Sequence, residues 1–274
     1  MKTTKDIFSL HGKVIIITGG AGFLGLSYAE ALGKMGAHVV VWDAKDEQGM
    51  RQAQQVLLKK KVKADVESVD ITDEKSVRHA VRAIIKKYTK IDVLINNAAM
   101  NPAVGSADSA SQFAPYEKYP IDLWEKELRV NLTGTMICTK SVATYMIKQR
   151  SGSIINIGSD VSVVAHDHRV YNDPSEKRFK SVAYSTTKSA LLGFTRQWAA
   201  RLGMYNVRIN TFSPTGVQTP AQDKAFVKRY GDMTMFGRMA TPQDYVGAIA
   251  FLSSDASEFM TGQNLVVDGG KTAW

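Results

Sequence analysis

The apolar positions of the chain follow two alternating rhythms. Short, largely β-branched runs, KVIIIT at Lys13 to Thr18, AHVVVWD ending at Asp43, IDVLIN at Ile91 to Asn96 and SIINIG from Ser153, have the composition of strands buried on both faces of a parallel sheet. Between them the apolar residues recur at helical spacing, through Leu26, Ala29, Leu32 and Met35, then Gln52 to Leu58, then Val77 to Ile85. Val66 to Val69 reads as a further strand ending at Asp70. The pattern then predicts a helix from Ile121 through Gln149, a helix over Val182 to Gly203, the strand VRINTF, a short helix over Gln222 to Tyr230, a helix opened by Thr241 and Pro242, and a last strand, NLVVD. In that opening Thr241 suits a cap, Pro242 the first turn and Asp244 the helix dipole.

One helix between successive strands is the length of a parallel crossover, and the alternation predicts a doubly wound parallel sheet with helices on both faces. No linker or repeat divides the 274 residues, so one domain over 1–274 is expected, with an active-site loop at 100–120 and an insertion at 160–180. Ligands of such sheets bind at the carboxyl ends of the strands, near the point where strand order reverses.

Composition narrows the classes. The formal charge of +9 is scattered over helix faces such as KKKVK at Lys59 to Lys63; solvated surface, with no nucleic-acid partner, is the reading. No apolar run approaches the roughly 20 residues of a membrane span, and the first residues lack the apolar core of a signal peptide. A cytoplasmic protein is expected, and the single cysteine, Cys138, is read as a buried small hydrophobe.

Candidate chemistry gathers at the strand ends. Gly20, Gly22 and Gly25 form G-x-G-x-x-G between a strand and a helix, with Asp43 eighteen residues further on; such a turn brings backbone and helix N-terminus close to a pyrophosphate. A carboxylate at Asp43 accepts ribose hydroxyls and repels a 2'-phosphate, which favours NAD over NADP, although Lys45 nearby softens that repulsion. Asp70 is either an acceptor for an adenine amino group or a helix cap shared with Thr72. Tyr184 and Lys188, four apart, share one face of a helix. A tyrosine near pKa 10 is a poor base at neutrality, and lowering it toward 7 takes on the order of 4 kcal/mol. Lys188 together with a positive nicotinamide ring could supply that in a dry site, with Ser159 at a strand end fixing the substrate oxygen.

These residues, with TGGAGFLG after the first strand, NNAA at Asn96 to Ala99, VNLTG containing Asn131, INIGS ending at Ser159, YSTTK, SPTGVQT and the closing LVVDGG, make the whole chain resemble a short-chain dehydrogenase/reductase. The resemblance implies a Rossmann-type, seven-stranded sheet and a catalytic tetrad of Asn131, Ser159, Tyr184 and Lys188, the asparagine holding a water that connects the lysine to solvent. It implies cofactor contacts from Gly19, Gly20, Gly22, Phe23, Leu24, Gly25, Asp43, Asp70, Ile71, Asn97, Ala98, Ala99, Tyr184, Lys188, Pro214, Val217 and Thr219, and a homodimer or homotetramer built through the long helices.

Three departures stand out. Phe23 occupies a usual glycine position and gives the turn the look of the extended subgroup, which includes nucleotide-sugar epimerases and dehydratases. Thr215 follows Pro214 where glycine is usual. The 25 residues from Ser159 to Tyr184 exceed the usual separation and place His166, His168 and Arg169 either against substrate or in a solvated loop. No metal is expected, since His166 and His168 lack a third ligand. The expected function is NAD(H)-dependent interconversion of a secondary alcohol and a ketone, of a sugar, polyol or sugar-derived acid. The alternatives are a nucleotide-sugar epimerase or dehydratase and a non-catalytic NAD-binding regulatory protein.

Overall fold

All five residues of the first strand, β1 (Val14–Thr18), are buried, with Ile15 and Ile17 in one apolar core and Val14 and Ile16 in the other. A strand with no polar face needs helices on both sides, and the computed structural model, which describes residues 3–101, 111, 113–171 and 178–274, supplies them. The remaining strands are β2 (His38–Asp43), β3 (Ala64–Ser68), β4 (Val93–Asn96), β5 (Gly152–Ile157), β6 (Val207–Pro214) and β7 (Asn264–Val267). They form one sheet in the order β3-β2-β1-β4-β5-β6-β7, parallel throughout. The Rossmann-type fold read from the sequence is the fold observed. Strand order reverses between β1 and β4, so a crevice opens at their carboxyl ends.

Among the described residues the α-helices of eight residues or more are α1 (Phe23–Lys34), α2 (Glu47–Lys59), α3 (Glu74–Tyr88), α4 (Ile121–Leu128), α5 (Thr135–Gln149), α6 (Val182–Leu202), α7 (Lys224–Gly231) and α8 (Gln243–Ser253). One face of the sheet packs on α1, α2 and α8 through Tyr28, Leu32, Met50, Leu57 and Ile249. The other packs on α3, α5 and α6 through Val77, Val81, Cys138, Val142 and Leu202. Cys138 is buried as expected, and burial pushes its thiol up to about 12.

Several boundaries differ from the sequence reading. Helix α2 begins at Glu47 because the Asp46 carboxylate accepts the Gly49 N–H at 2.8 Å and caps it. Thr241 does not cap α8; its N–H and hydroxyl donate to Asp244 at 2.7 and 2.8 Å. The single helix expected over Ile121 to Gln149 is broken by a π-helical turn, Arg129–Gly134, that separates α4 from α5. Of the loop at 100–120, residues 102–110 and 112 lie outside the described residues, as do 172–177 of the insertion at 160–180. The described part of that insertion carries two single 3-10 turns, Asp160–Ser162 and His168–Val170. Among the described residues no helix is long and apolar enough to cross a membrane.

A side chain at Gly25 would press on the Gly19 carbonyl oxygen and lie 2.6 Å from the Gly20 Cα, both backbone atoms that cannot swing away. Gly25→Ala is therefore expected to destabilise the protein by roughly 1–3 kcal/mol, the range for overpacking a tight site. The urea midpoint measures it.

Candidate active site

The crevice is built first by backbone. Gly19 has φ +60°, and a Cβ there would lie 2.7 Å from the Ala98 Cα, so only glycine lets the turn after β1 meet the end of β4. Thr18 Oγ1 accepts the N–H groups of Asn97 and Ala98 at 3.0 and 3.1 Å, and Asn97 Nδ2 donates to the carbonyls of Thr18 and Gly19, both at 3.0 Å. Asn97 thus braces the turn. Helix α1 starts at Gly22 with no side-chain cap, so the first N–H groups, at Phe23 and Leu24, are the positive end of a dipole facing the crevice.

Asp43 closes β2 and accepts the Ala21 N–H at 3.1 Å, while Lys45 Nζ donates to the Ala21 carbonyl at 3.0 Å. Both charges are therefore fixed beside the glycine turn. Asp70 accepts the N–H and hydroxyl of Thr72, each at 2.8 Å. It does not share a helix cap with Thr72: the cap of α3 is Asp73, which accepts from Lys75 at 2.8 Å. Ile71 is buried against Gly134 of the π turn. At the far side Pro214 ends β6, Val217 bridges Ala240, and the Thr219 N–H donates to Gln222 Oε1 at 2.8 Å.

The opposite wall is the start of α6. Ser181 Oγ accepts the Tyr184 N–H at 3.0 Å and donates to the Glu127 carboxylate of α4 at 2.8 Å; Tyr119 donates to the same carboxylate. This fixes the first turn, with Lys188 Nζ 5.7 Å from the Tyr184 ring centroid and 2.6 Å from the Ile157 carbonyl. Asn131, in the π turn, accepts the Met100 N–H at 2.8 Å and donates to Thr187 Oγ1 at 3.0 Å; Thr187 donates to the Tyr184 carbonyl at 2.8 Å. The four residues expected to act together are thus connected through backbone and one threonine.

Burial governs the electrostatics. It pushes Tyr184 well above its usual range, against a contact with Ser159 that pulls the other way. Lys188 in the next turn does not by itself make the phenol acidic. Burial and the neighbouring Lys180 bring Lys188 down to about 8.

Ser159 follows β5, and its hydroxyl donates to Asp160 Oδ1 at 2.7 Å. Asp160 Oδ2 receives Thr215 at 2.8 Å and Lys271 at 2.5 Å, with the lysine and aspartate side chains only 6% and 4% exposed. Burial alone would raise the Asp160 carboxyl, but the Lys271 ammonium and these hydrogen bonds outweigh it and hold it ionised below its usual range. This explains Thr215, which the sequence presented only as a departure.

Of the three insertion candidates, the structure places two by the site. His166 stacks on Tyr171 with centroids 5.1 Å apart, and neither of its buried ring nitrogens has a partner among the described residues. His168 Nδ1 accepts the Lys180 N–H at 3.0 Å, which leaves the Nε2 proton for Tyr116 at 2.9 Å. Arg169 is not brought in: 89% exposed, it pairs with Asp167 at 2.6 Å. Among the described residues no group of three or more His, Cys, Asp or Glu could hold a metal.

Sequence reasoning passed over Thr18, Asp160, Lys180 and Lys271. Lys180 carried a signal, standing four residues before Tyr184 as Lys188 stands four after. The pairing of Lys271 with Asp160 crosses 111 positions and left none.

Fold and crevice define a dinucleotide-binding α/β architecture. A family profile described as enoyl-(acyl carrier protein) reductase matches residues 20–272. The 3-oxoacyl-[acyl-carrier-protein] reductase of Aquifex aeolicus is 30% identical over 95% of this chain and 98% of its own. An NAD-dependent glycerol dehydrogenase of Listeria innocua is 31% identical over 97% and 96%. The gluconate 5-dehydrogenase of Burkholderia cenocepacia, solved with NADP and tartrate, superposes with a TM-score of 0.85 at 29% identity, covering 99% of this chain and 100% of that one. The chain belongs to the short-chain dehydrogenase/reductase family.

His166 generates a pH prediction. Burial first, then the Lys271 ammonium, hold it down to about 3, with Asp160 opposing and Lys180 and His168 adding to the shift. The unfolded chain, with histidine near 6.5, takes up a proton that the folded chain refuses. Stability contributed by neutral His166 is complete above about 6.5 and is lost as pH falls toward 3. His166→Phe, which keeps a ring against Tyr171, should flatten that part of the stability–pH curve between pH 6.5 and 4, measured by denaturant midpoints.

Proposed function

We propose that the chain is an NAD(H)-dependent oxidoreductase that interconverts a secondary alcohol and a ketone of a sugar, polyol or sugar-derived acid. The observation that carries this is the convergence of Ser159 and Lys188, both buried, on the half-buried Tyr184, in a sheet whose strand order reverses between β1 and β4. In the oxidising direction Tyr184 takes the hydroxyl proton. Ser159 holds the substrate oxygen, and Lys188, still protonated near neutrality, favours the phenolate. Asn131 positions this group by joining Met100 to the turn of α6 that carries it.

The residues present fit a dinucleotide: the uncapped N-terminus of α1 and the glycine turn suit a pyrophosphate, Asp43 a ribose, Asp70 an adenine amino group, and Pro214, Val217 and Thr219 a carboxamide. When bound, its oxidised nicotinamide supplies a hydride acceptor and a positive charge near the phenol. Asp43 supports NAD, while Lys45 nearby leaves NADP weaker but not shut out. The glycerol and gluconate dehydrogenases among the relatives support a hydroxyl-rich substrate.

Tyr184→Phe is expected to lower turnover at least a thousand-fold while NAD affinity, measured by fluorescence titration, changes less than three-fold. Retained turnover in that variant would falsify the assignment. Net NADH formation from a screen of polyols and sugar acids separates this reading from an epimerase or dehydratase, which leaves the cofactor's redox state unchanged. Replacing Asp43 by serine should move the ratio of kcat/KM for NADP over NAD upward by ten-fold or more. An unchanged ratio would mean that the carboxylate does not set cofactor choice.

A further inference from the structure

Ser159 has to hold a substrate oxygen in the proposed reaction, yet a serine side chain has several staggered positions and a single proton. Here the position is fixed. The hydroxyl donates to Asp160 Oδ1 at 2.7 Å, and the Ser159 N–H donates to Ser162 Oγ at 3.0 Å, which in turn donates to the Lys188 carbonyl at 2.9 Å. The chain after β5 is thereby tied to the helix that carries Tyr184, and the hydroxyl is tied to a residue only 3% exposed.

Asp160 joins more than the serine. Its Oδ1 also accepts the Val161 N–H at 2.9 Å, and its Oδ2 accepts Thr215 Oγ1 at 2.8 Å and Lys271 Nζ at 2.5 Å. Thr215 belongs to the loop after β6, where the Tyr230 hydroxyl of α7 accepts the Gly216 N–H at 2.8 Å and stands 3.1 Å from Thr215 Oγ1. One carboxylate therefore connects Ser159 with the loop proposed to hold a carboxamide. Val161, Thr215 and Lys271 satisfy both carboxylate oxygens without the serine. The Ser159 proton can thus swing to a substrate oxygen by rotation about Cβ–Oγ, with Oγ unmoved and neither oxygen of Asp160 left bare.

We propose that Asp160 is a positioning residue, which holds Ser159 Oγ in register with the loop at 214–219 and is itself pinned by Lys271. A misplaced Oγ forfeits orientation, a loss that falls on the transition state more than on substrate binding. Lys271 compensates the buried charge of Asp160, so removing both charges together leaves no ion unpaired. The inference rests on Ser159 holding the substrate oxygen, as proposed above.

The test is made in a Lys271→Met background. Asp160→Asn keeps an acceptor of the same shape, and Asp160→Leu keeps the shape without the acceptor. On a polyol or sugar acid that yields NADH, Asp160→Asn/Lys271→Met should keep kcat within about five-fold of wild type. Asp160→Leu/Lys271→Met should lose a further ten-fold or more in kcat, with KM changed less than about three-fold. Adding Ser159→Ala to both should erase the difference between them, as expected of a residue that acts through the serine. Equal kcat for the asparagine and leucine variants, or a difference that persists without the serine hydroxyl, would overturn the proposal.

Urea midpoints of the same proteins read the hold on Ser159 without cofactor or turnover. Ser159→Ala should lower the midpoint in the asparagine variant and by less than half as much in the leucine variant. Equal shifts overturn the proposal. Unequal shifts support the hold even where no polyol or sugar acid is turned over, a failure that counts against the proposed reaction alone. Should the leucine variant not fold, Asp160→Ala takes its place; if neither folds, Asp160 is a member of the fold rather than a positioning residue and the proposal is overturned.

Discussion

The placement of Tyr184 depends on one hydroxyl. Ser181 Oγ accepts the Tyr184 N–H in the first turn of α6 and donates a hydrogen bond to Glu127, a fully buried carboxylate that also receives Tyr119. A carboxylate without water is tolerable only when its oxygens are satisfied, and an uncapped helix start frays. Each partner therefore removes the other's defect. Because Glu127 belongs to α4 and Lys188 reaches the last residue of β5, two helices and the sheet are tied together at the phenol. The glycine turn is held by Thr18 and Asn97 as well as by the packing of Ala21 in the core.

Most of the fold was legible because a strand buried on both faces is mostly apolar, as in VIIIT of β1, VLI of β4 and the three isoleucines of β5. Helix ends were less so, since they depend on a single acceptor such as Asp46 or Asp73 that a periodicity does not register. The π turn was illegible: apolar spacing continues through it, and only the three-dimensional demand on Asn131 and Gly134 shows that a residue has been accommodated there. In the site, Ser159, Tyr184 and Lys188 were visible from spacing and position at strand and helix ends. Lys180 was passed over despite its spacing from Tyr184, and Lys271 left no signal, because lysine is read as surface by default and their contacts with Asn101 and Asp160 lie far off in sequence.

The proposed reaction centre is consequently more highly charged than a Tyr-Lys pair alone would be. Two buried lysines, Lys180 and Lys188, and the largely covered side chain of Lys271 lie near it with the buried carboxylates of Glu127 and Asp160. The effect of each ammonium depends on what it touches: Lys188 a carbonyl of the sheet, Lys271 a carboxylate behind the serine, Lys180 an amide beside the phenol. That Lys271 stands only three residues before Trp274 makes the end of the described chain part of the support of Ser159, through an ion pair of which almost nothing is exposed.

The π turn has a consequence for chain length. Successive helical residues are about 100° apart, and a π turn holds one residue more than the α-helix around it, so α5 leaves it rotated by about that angle from the continuation of α4. The rotation lets the continuous helical segment serve two neighbours: Glu127 of α4 bonds to α6, while Ile137, Cys138 and Val142 of α5 pack in the sheet's core. The count of residues between Glu127 and Cys138 is thus as much a specification of the proposed active site as any side chain in it, since a shorter spacer could satisfy one neighbour only by turning away from the other.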